Sequence, residues 1–202
     1  MIHFMIETVI VKYNAGNVQS VLYALERVGF EATLSDDPAV IQKADKVIFP
    51  GVGHARSAMN FLKEKGLDTT LKNLEQPTLG ICLGMQLMCS HSEEGNTPCL
   101  GIFEEPVLEF KGMEQGLKVP QIGWNQIGSL KSPLFEGVSE GSFIYLVHGY
   151  YAAVGQHTIA TSEYIQPYST ALHRDNFYGV QFHPEKSAKI GEQILYNFMT
   201  KI

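Results

Sequence analysis

The stretch Gly80-Ile81-Cys82-Leu83-Gly84-Met85-Gln86 sets a thiol between a short apolar run, Thr78 to Ile81, and a helix-like stretch, Leu83 to Ser90. This is the context of a nucleophile elbow, in which flanking glycines relieve crowding and the nucleophile stands out at the top of a sheet. Unpaired N–H groups and the dipole at a helix N-terminus favour negative charge, so a thiolate is favoured there. The plainer reading is a buried structural cysteine beside helix-packing glycines. It is the weaker one for Cys82, because glycines on both sides of a thiol have little use in a packed core. Cys89 and Cys99 keep the plainer reading.

A thiol needs a base, and Phe182-His183-Pro184-Glu185 offers one at the end of a strand-like run, Phe177 to Phe182. Proline biases the residue before it towards extended geometry, and in an extended segment residues two apart point to the same side. Glu185 can therefore reach the His183 ring, orient it and stabilise the imidazolium, while the other ring nitrogen faces a thiol. The other histidines, His3, His54, His91, His148, His157 and His173, read mostly as surface or hydrogen-bonded core groups. No two histidines have the i, i+4 spacing of a helical zinc motif, so no metal is expected.

Pro50-Gly51-Val52-Gly53 lies between a strand and a helix, where backbone N–H groups could hold an oxyanion. It reads equally as a plain strand-to-helix turn. It has neither the GxGxxG spacing of a dinucleotide site nor the Gly-Lys-Ser/Thr of a P-loop, so no nucleotide cofactor is expected.

The elements that must position these groups follow from periodicity. Met1 to Lys12 reads as a first strand, its β-branched part at Ile6 to Lys12. A turn at Asn14-Ala15-Gly16 follows, then a helix capped by Asn17 with Val18, Val21, Leu22, Leu25 and Val28 on one face and Gly29 at its end. A strand at Phe30 to Leu34 leads through Asp37-Pro38, a cap followed by proline at the first helical position, into a short helix. Lys46 to Phe49 reads as a buried strand and His54 to Lys65 as a helix closed by Gly66. This alternation implies right-handed crossovers and an open, mostly parallel sheet with helices on both faces, with site residues at the carboxyl ends of the strands. Beyond about residue 100 come strand candidates at Pro106 to Phe110, Asn125 to Leu130, Phe143 to Val147, His157 to Ser162, Thr170 to His173 and Phe177 to Phe182. They are expected to include antiparallel strands that extend the sheet before a last amphipathic helix, Ser187 to Lys201.

The 202 residues fit one α/β domain spanning the chain, 45% hydrophobic and 18% charged. Such a chain buries roughly two thirds of its unfolded surface and needs no disulfide or structural metal. A formal charge of −6 without a Lys/Arg cluster argues against nucleic acid or an anionic membrane as partner. The N-terminal run carries Glu7 and lacks a basic leader, and no apolar run reaches the roughly 18 residues of a membrane span. The expected location is the cytoplasm. Three cysteines with no CxxC pair signal neither a disulfide framework nor a zinc ribbon.

Together these residues resemble the class I glutamine amidotransferases, and among them the glutaminase subunits of imidazole glycerol phosphate synthases of histidine biosynthesis. The resemblance covers nearly the whole chain, through Gly16-Asn17 with Ser20-Val21, the Phe49 to Gly53 run, the Gly80 to Leu87 run, Val119-Pro120-Gln121-Ile122-Gly123-Trp124-Asn125, Val147 to Tyr151, and Gln181 to Ser187. It implies a Cys82, His183, Glu185 triad, Gly51 and Val52 near the oxyanion, and a pocket in which Gln86 contacts glutamine and Gly84, His148, Gly149 and Tyr150 line the walls. It also implies a docking face with Gln121, Trp124, Asn125, Tyr151 and Lys186 for a (β/α)8 barrel cyclase, forming a heterodimer to which ammonia is channelled. The family commonly has histidine where this chain has Gln121, and a Tyr-Gly turn where it has Val11-Lys12-Tyr13-Asn14-Ala15. Two alternatives stay open: the glutaminase of another synthase, such as one of glycan amidation, and a catalytically silent assembly module.

Overall fold

The computed structural model describes residues 6–13, 18–111 and 116–202. Met1 to Met5 of the expected first strand, the Asn14-Ala15-Gly16 turn and the Asn17 cap lie outside the described residues.

The first half alternates as expected: β1 (Thr8–Val11), α1 (Val18–Arg27), β2 (Thr33–Ser35), α2 (Pro38–Lys43), β3 (Lys46–Gly51), α3 (Ala55–Glu64), α4 (Leu67–Lys72), β4 (Thr78–Cys82) and α5 (Leu83–Met88). Asp37 caps α2, its Oδ1 accepting the Ala39 N–H at 2.8 Å, with Pro38 in the first turn. One helix was not expected. After Gly66, whose φ of 67° ends α3, the chain turns back into α4, which buries only Leu67, Thr70 and Leu71, too short an apolar stripe to signal a helix.

The second half adds β5 (His91–Ser92), β6 (Thr97–Pro98), β7 (Val107–Glu109), β8 (Gln121–Gln126), β9 (Phe143–His148), β10 (Tyr150–Ala152), β11 (Thr158–Glu163), β12 (Pro167–Arg174), β13 (Phe177–Val180) and α6 (Ala188–Lys201). The main sheet runs β2-β1-β3-β4-β13-β12-β10-β7-β5-β6, with β11 paired to β12. Strands β2, β1, β3, β4 and β13 are parallel, and β12, β10 and β7 continue antiparallel. β8 and β9 do not extend this sheet. They form a separate ribbon, with Gln121 opposite His148 and Gln126 opposite Phe143. The strand expected at Asn125 to Leu130 therefore starts earlier. Gly123 inside it weakened the local strand signal.

Alternation along the parallel strands divides the core. Val9, Val11, Val47 and Phe49 pack with α3, α4 and α5, whereas Ile10, Ile48, Leu79 and Ile81 pack with α1 and α6. Helix α5 lies so close to the sheet that a Cβ on Gly84 would fall on the Phe49 carbonyl, and one on Gly80 would meet Met88 Sδ. Close approach, rather than an unusual dihedral, requires glycine at these two positions, and it brings the start of α5 onto the end of β4. Among the described residues no helix is long and apolar enough to cross a membrane.

Candidate active site

Cys82 is both the last residue of β4 and the N-cap of α5, with φ 55° and ψ −111°. A non-glycine residue there stores strain of about 1–3 kcal/mol and persists only where its surroundings over-determine it. Here β3 and β13 clamp β4 from both sides, and Gly84 seats α5 against Phe49. The Sγ atom lies 3.9 Å from the Val147 carbonyl and 3.7 Å from Gln181 Nε2.

His183 arrives from the neighbouring parallel strand. Val180 of β13 pairs with Ile81 of β4, so the segment beyond β13 runs beside Cys82. The His183 N–H donates to the Tyr145 carbonyl at 2.9 Å, and Ser187 Oγ donates to the His183 carbonyl at 2.7 Å, which pins the backbone. Its φ of −97° and ψ of 96° are extended, as proline after it requires. Nδ1 is 2.8 Å from Glu185 Oε1. Burial by itself would lower the affinity of the ring for its proton. Hydrogen bonds to Cys82 and Glu185, and the charges of both, outweigh that and raise the pKa to about 10. The arrangement is an imidazole between the Cys82 sulfur and a carboxylate, suited to nucleophilic attack followed by proton return to a leaving group.

A cavity of about 330 Å³ opens over these groups. Of the residues singled out from the sequence, Cys82, His183, Val52, Gln86, His148, Gly149, Tyr150 and Lys186 line it. Gly51 does not. It pairs with Cys82 across β3 and β4 and, with Val52 and Glu185, borders a much smaller cavity behind the thiol. Glu185 stands behind His183, and Gly84 serves the helix–sheet contact. Gln86 Nε2 donates to the Tyr150 carbonyl and to Gln181 Oε1, both at 2.8 Å. His148 Nδ1 donates to the Tyr150 carbonyl at 2.8 Å, and burial, partly opposed by that bond and reinforced by His183, lowers its pKa to about 4. It is therefore a neutral neighbour of a charged one.

Glu94 also lines the cavity, its Oε2 accepting the Ala55 N–H at 2.6 Å at the start of α3. Sequence reasoning missed it, because a glutamate in a short acidic loop carries no local signal. Among the described residues, no group of three or more His, Cys, Asp or Glu side chains is placed to hold a metal ion.

The expected docking residues separate. Trp124 is 52% exposed and stacks edge-on with Tyr145 on the ribbon, beside Ile122 at 65% and near Phe143 at 54%. Lys186 is exposed at the cavity rim, and Asn125 is half-buried, its Nδ2 donating to the Glu163 carbonyl. Gln121 and Tyr151 differ from the expectation. Gln121 is buried and accepts the Tyr168 hydroxyl at 3.1 Å, and Tyr151 is buried with its ring stacked 4.3 Å from Phe110. Both side chains stand behind the face rather than on it.

The family model described as glutamine amidotransferase class-I matches residues 9–202. Over 190 residues the chain is 57% identical to the imidazole glycerol phosphate synthase subunit HisH of Bacteroides thetaiotaomicron, covering 94% of this chain and 97% of that one. It is 46% identical over 203 residues to the subunit of the same name from Shewanella loihica, covering 96% of this chain and 90% of that one. A solved glutamine amidotransferase of Thermotoga maritima superposes with a TM-score of 0.64 at 18% identity, covering 91% of this chain and 77% of that one, which shows the shared fold.

Proposed function

The chain belongs to the class I glutamine amidotransferases, and from that premise we propose that it is the glutamine-hydrolysing subunit of an imidazole glycerol phosphate synthase in histidine biosynthesis. The observation that carries this reading is the strained Cys82 facing the same cavity as His183, whose Nδ1 is bonded to Glu185.

Cys82 attacks the side-chain amide carbon of glutamine as the thiolate, and the amide oxygen becomes an oxyanion held by the Val52 N–H beside Gly51. His183, protonated and oriented by Glu185, gives its proton to the amide nitrogen, the C–N bond breaks, and ammonia leaves a thioester on Cys82. Water then attacks the thioester, His183 takes its proton, and glutamate departs as the thiolate re-forms. Glu94, the carboxylate at the far wall of the cavity, suits the substrate α-ammonium. Gln86, Gly149 and Tyr150 form the remaining wall.

The released ammonia is passed to a synthase partner in a heterodimer. Free in water it would be protonated and lose its nucleophilic lone pair. The partner reading is a (β/α)8 barrel cyclase that seats on the exposed ribbon around Trp124, with Asn125 and Lys186 at its margin. There ammonia completes the imidazole ring of imidazole glycerol phosphate, releasing aminoimidazole carboxamide ribonucleotide. Pro50 to Gly53 contains two glycines, so the peptide before Val52 can turn between a state that offers the oxyanion donor and one that does not. Loss of one such donor costs about 10²–10³ in turnover. Glutamate release is therefore expected to rise by about that factor from the chain alone to the complex with cyclase and acceptor analogue. Equal rates for the chain alone, with cyclase, and with cyclase plus analogue would leave an unregulated hydrolase.

A further inference from the structure

Tyr13 follows β1 and is buried in the core layer under α3 and α5, its ring 5.2 Å from that of Phe49. Its hydroxyl is pressed against the backbone of Gly51. A Cβ on Gly51 would collide with the Tyr13 oxygen, and would also meet Gly84 N at 2.7 Å. Among the described residues this buried hydroxyl has no hydrogen-bond partner. A phenylalanine would fill the same space and keep the ring contact without burying an unsatisfied polar atom, so packing does not explain the oxygen.

The oxygen lies next to the one backbone segment whose orientation decides whether the oxyanion has a donor. The N–H and C=O of a planar trans peptide point in opposite directions. When the Gly51–Val52 peptide turns its N–H into the cavity, the Gly51 carbonyl swings away from Cys82 into the protein. We propose that Tyr13 is a positioning residue for this peptide, its hydroxyl donating to the Gly51 carbonyl when the Val52 N–H faces Cys82. On this reading the hydroxyl, which has no hydrogen-bond partner among the described residues, is held ready for that carbonyl. Burial, reinforced by the neighbouring Cys82, pushes the phenol well above its ordinary value, so it remains a neutral donor at any working pH. The inference rests on the oxyanion reading above and extends it to a residue that never touches substrate.

The test is Tyr13→Phe in the complex with the synthase partner but without acceptor nucleotide, where the donor state is the minor one. One ordinary hydrogen bond lost from that state lowers kcat for glutamate release about threefold to tenfold. KM for glutamine, the rate of Cys82 alkylation by iodoacetamide and ammonia-supported synthesis are expected to stay as in the wild type, and the thermal midpoint is expected not to fall. An unchanged kcat would overturn the proposal and leave Tyr13 a core plug. A kcat loss accompanied by an equal loss in alkylation rate would also overturn it, since the hydroxyl would then act on the thiol. A wild-type complex that released no glutamate even with acceptor analogue bound would instead remove the glutaminase reading itself.

Discussion

Among the described residues, two imidazole–carboxylate pairs have nearly the same local chemistry and different surroundings. His183 Nδ1 lies 2.8 Å from Glu185 Oε1, and His157 Nδ1 lies 2.9 Å from Glu105 Oε2. Both carboxylates are equally buried, at 3% side-chain exposure. Around Glu105 both oxygens are used, because Oε1 also accepts the His157 N–H at 2.9 Å, which ties the loop between β10 and β11 to the segment before β7. Around Glu185 the second oxygen has no partner among the described residues, and the His183 ring lines the same cavity as Cys82. A histidine held by a carboxylate is thus no signature of a site in itself. What distinguishes the two is the thiol on the opposite side of the ring and the room for a substrate above it.

The largest expected effect sharpens that difference. Cys82→Ser should lower glutamine hydrolysis by about 10⁴-fold or more, while partner binding and ammonia-supported synthesis persist. Retention of most hydrolysis would return Cys82 to the plain cysteines. Next in size, His183→Ala should cost about 10²–10⁴ in kcat, and Glu185→Gln less, because the carboxylate orients the base without itself exchanging protons with substrate. Wild-type turnover in both variants would make the His183 pair no more catalytic than the His157 pair.

The structural pair should respond in a different quantity. Glu105→Gln or His157→Ala leaves buried polar groups unsatisfied and should lower folding stability by about 1–3 kcal/mol, with kcat per folded molecule unchanged. A selective kcat loss without loss of stability would break the contrast from the other side. The smallest effect is a shift in titration. With its pKa raised to about 10, the His183 ring stays protonated through neutral pH. Its stabilising contribution is fully present below the unfolded value of about 6.5 and is lost as pH rises through about 10. Ring NMR should show the midpoint falling in Cys82→Ser, since part of the cause is removed. An unchanged midpoint would mean that the thiol does not act on the ring.

The same contrast explains what could be read before the fold was known. His157 is followed within the chain by residues of ordinary type, whereas the proline and glutamate after His183 single it out. His157 looked like a surface or core histidine, and Glu105 lies too far away along the chain for any local rule to pair them. Glu94 escaped for the same reason, and so did Tyr13, whose hydroxyl acquires meaning only from its place against Gly51. Gln121 and Tyr151 were expected on the docking face by their motif, yet the antiparallel half of the fold turns them inward onto Tyr168 and Phe110.

By itself the amino-acid sequence determined whatever depends on residues a few positions apart: the strand–turn–helix around Cys82, the extended His183-Pro184-Glu185 segment, the Asp37 cap, and the alternation that splits one core into layers above and below a parallel sheet. These are set by dihedral preference, period and short-range hydrogen bonding, which a linear string encodes directly. Only the tertiary structure decided that β13 lies beside β4, so that Cys82 and His183 meet; that β8 and β9 leave the sheet as an exposed ribbon; and that one His–Glu pair faces a thiol and a cavity while the other ties two loops together. Those outcomes depend on which strands pair and which faces are covered, and strand pairing is a contest among non-local contacts that no single segment can settle.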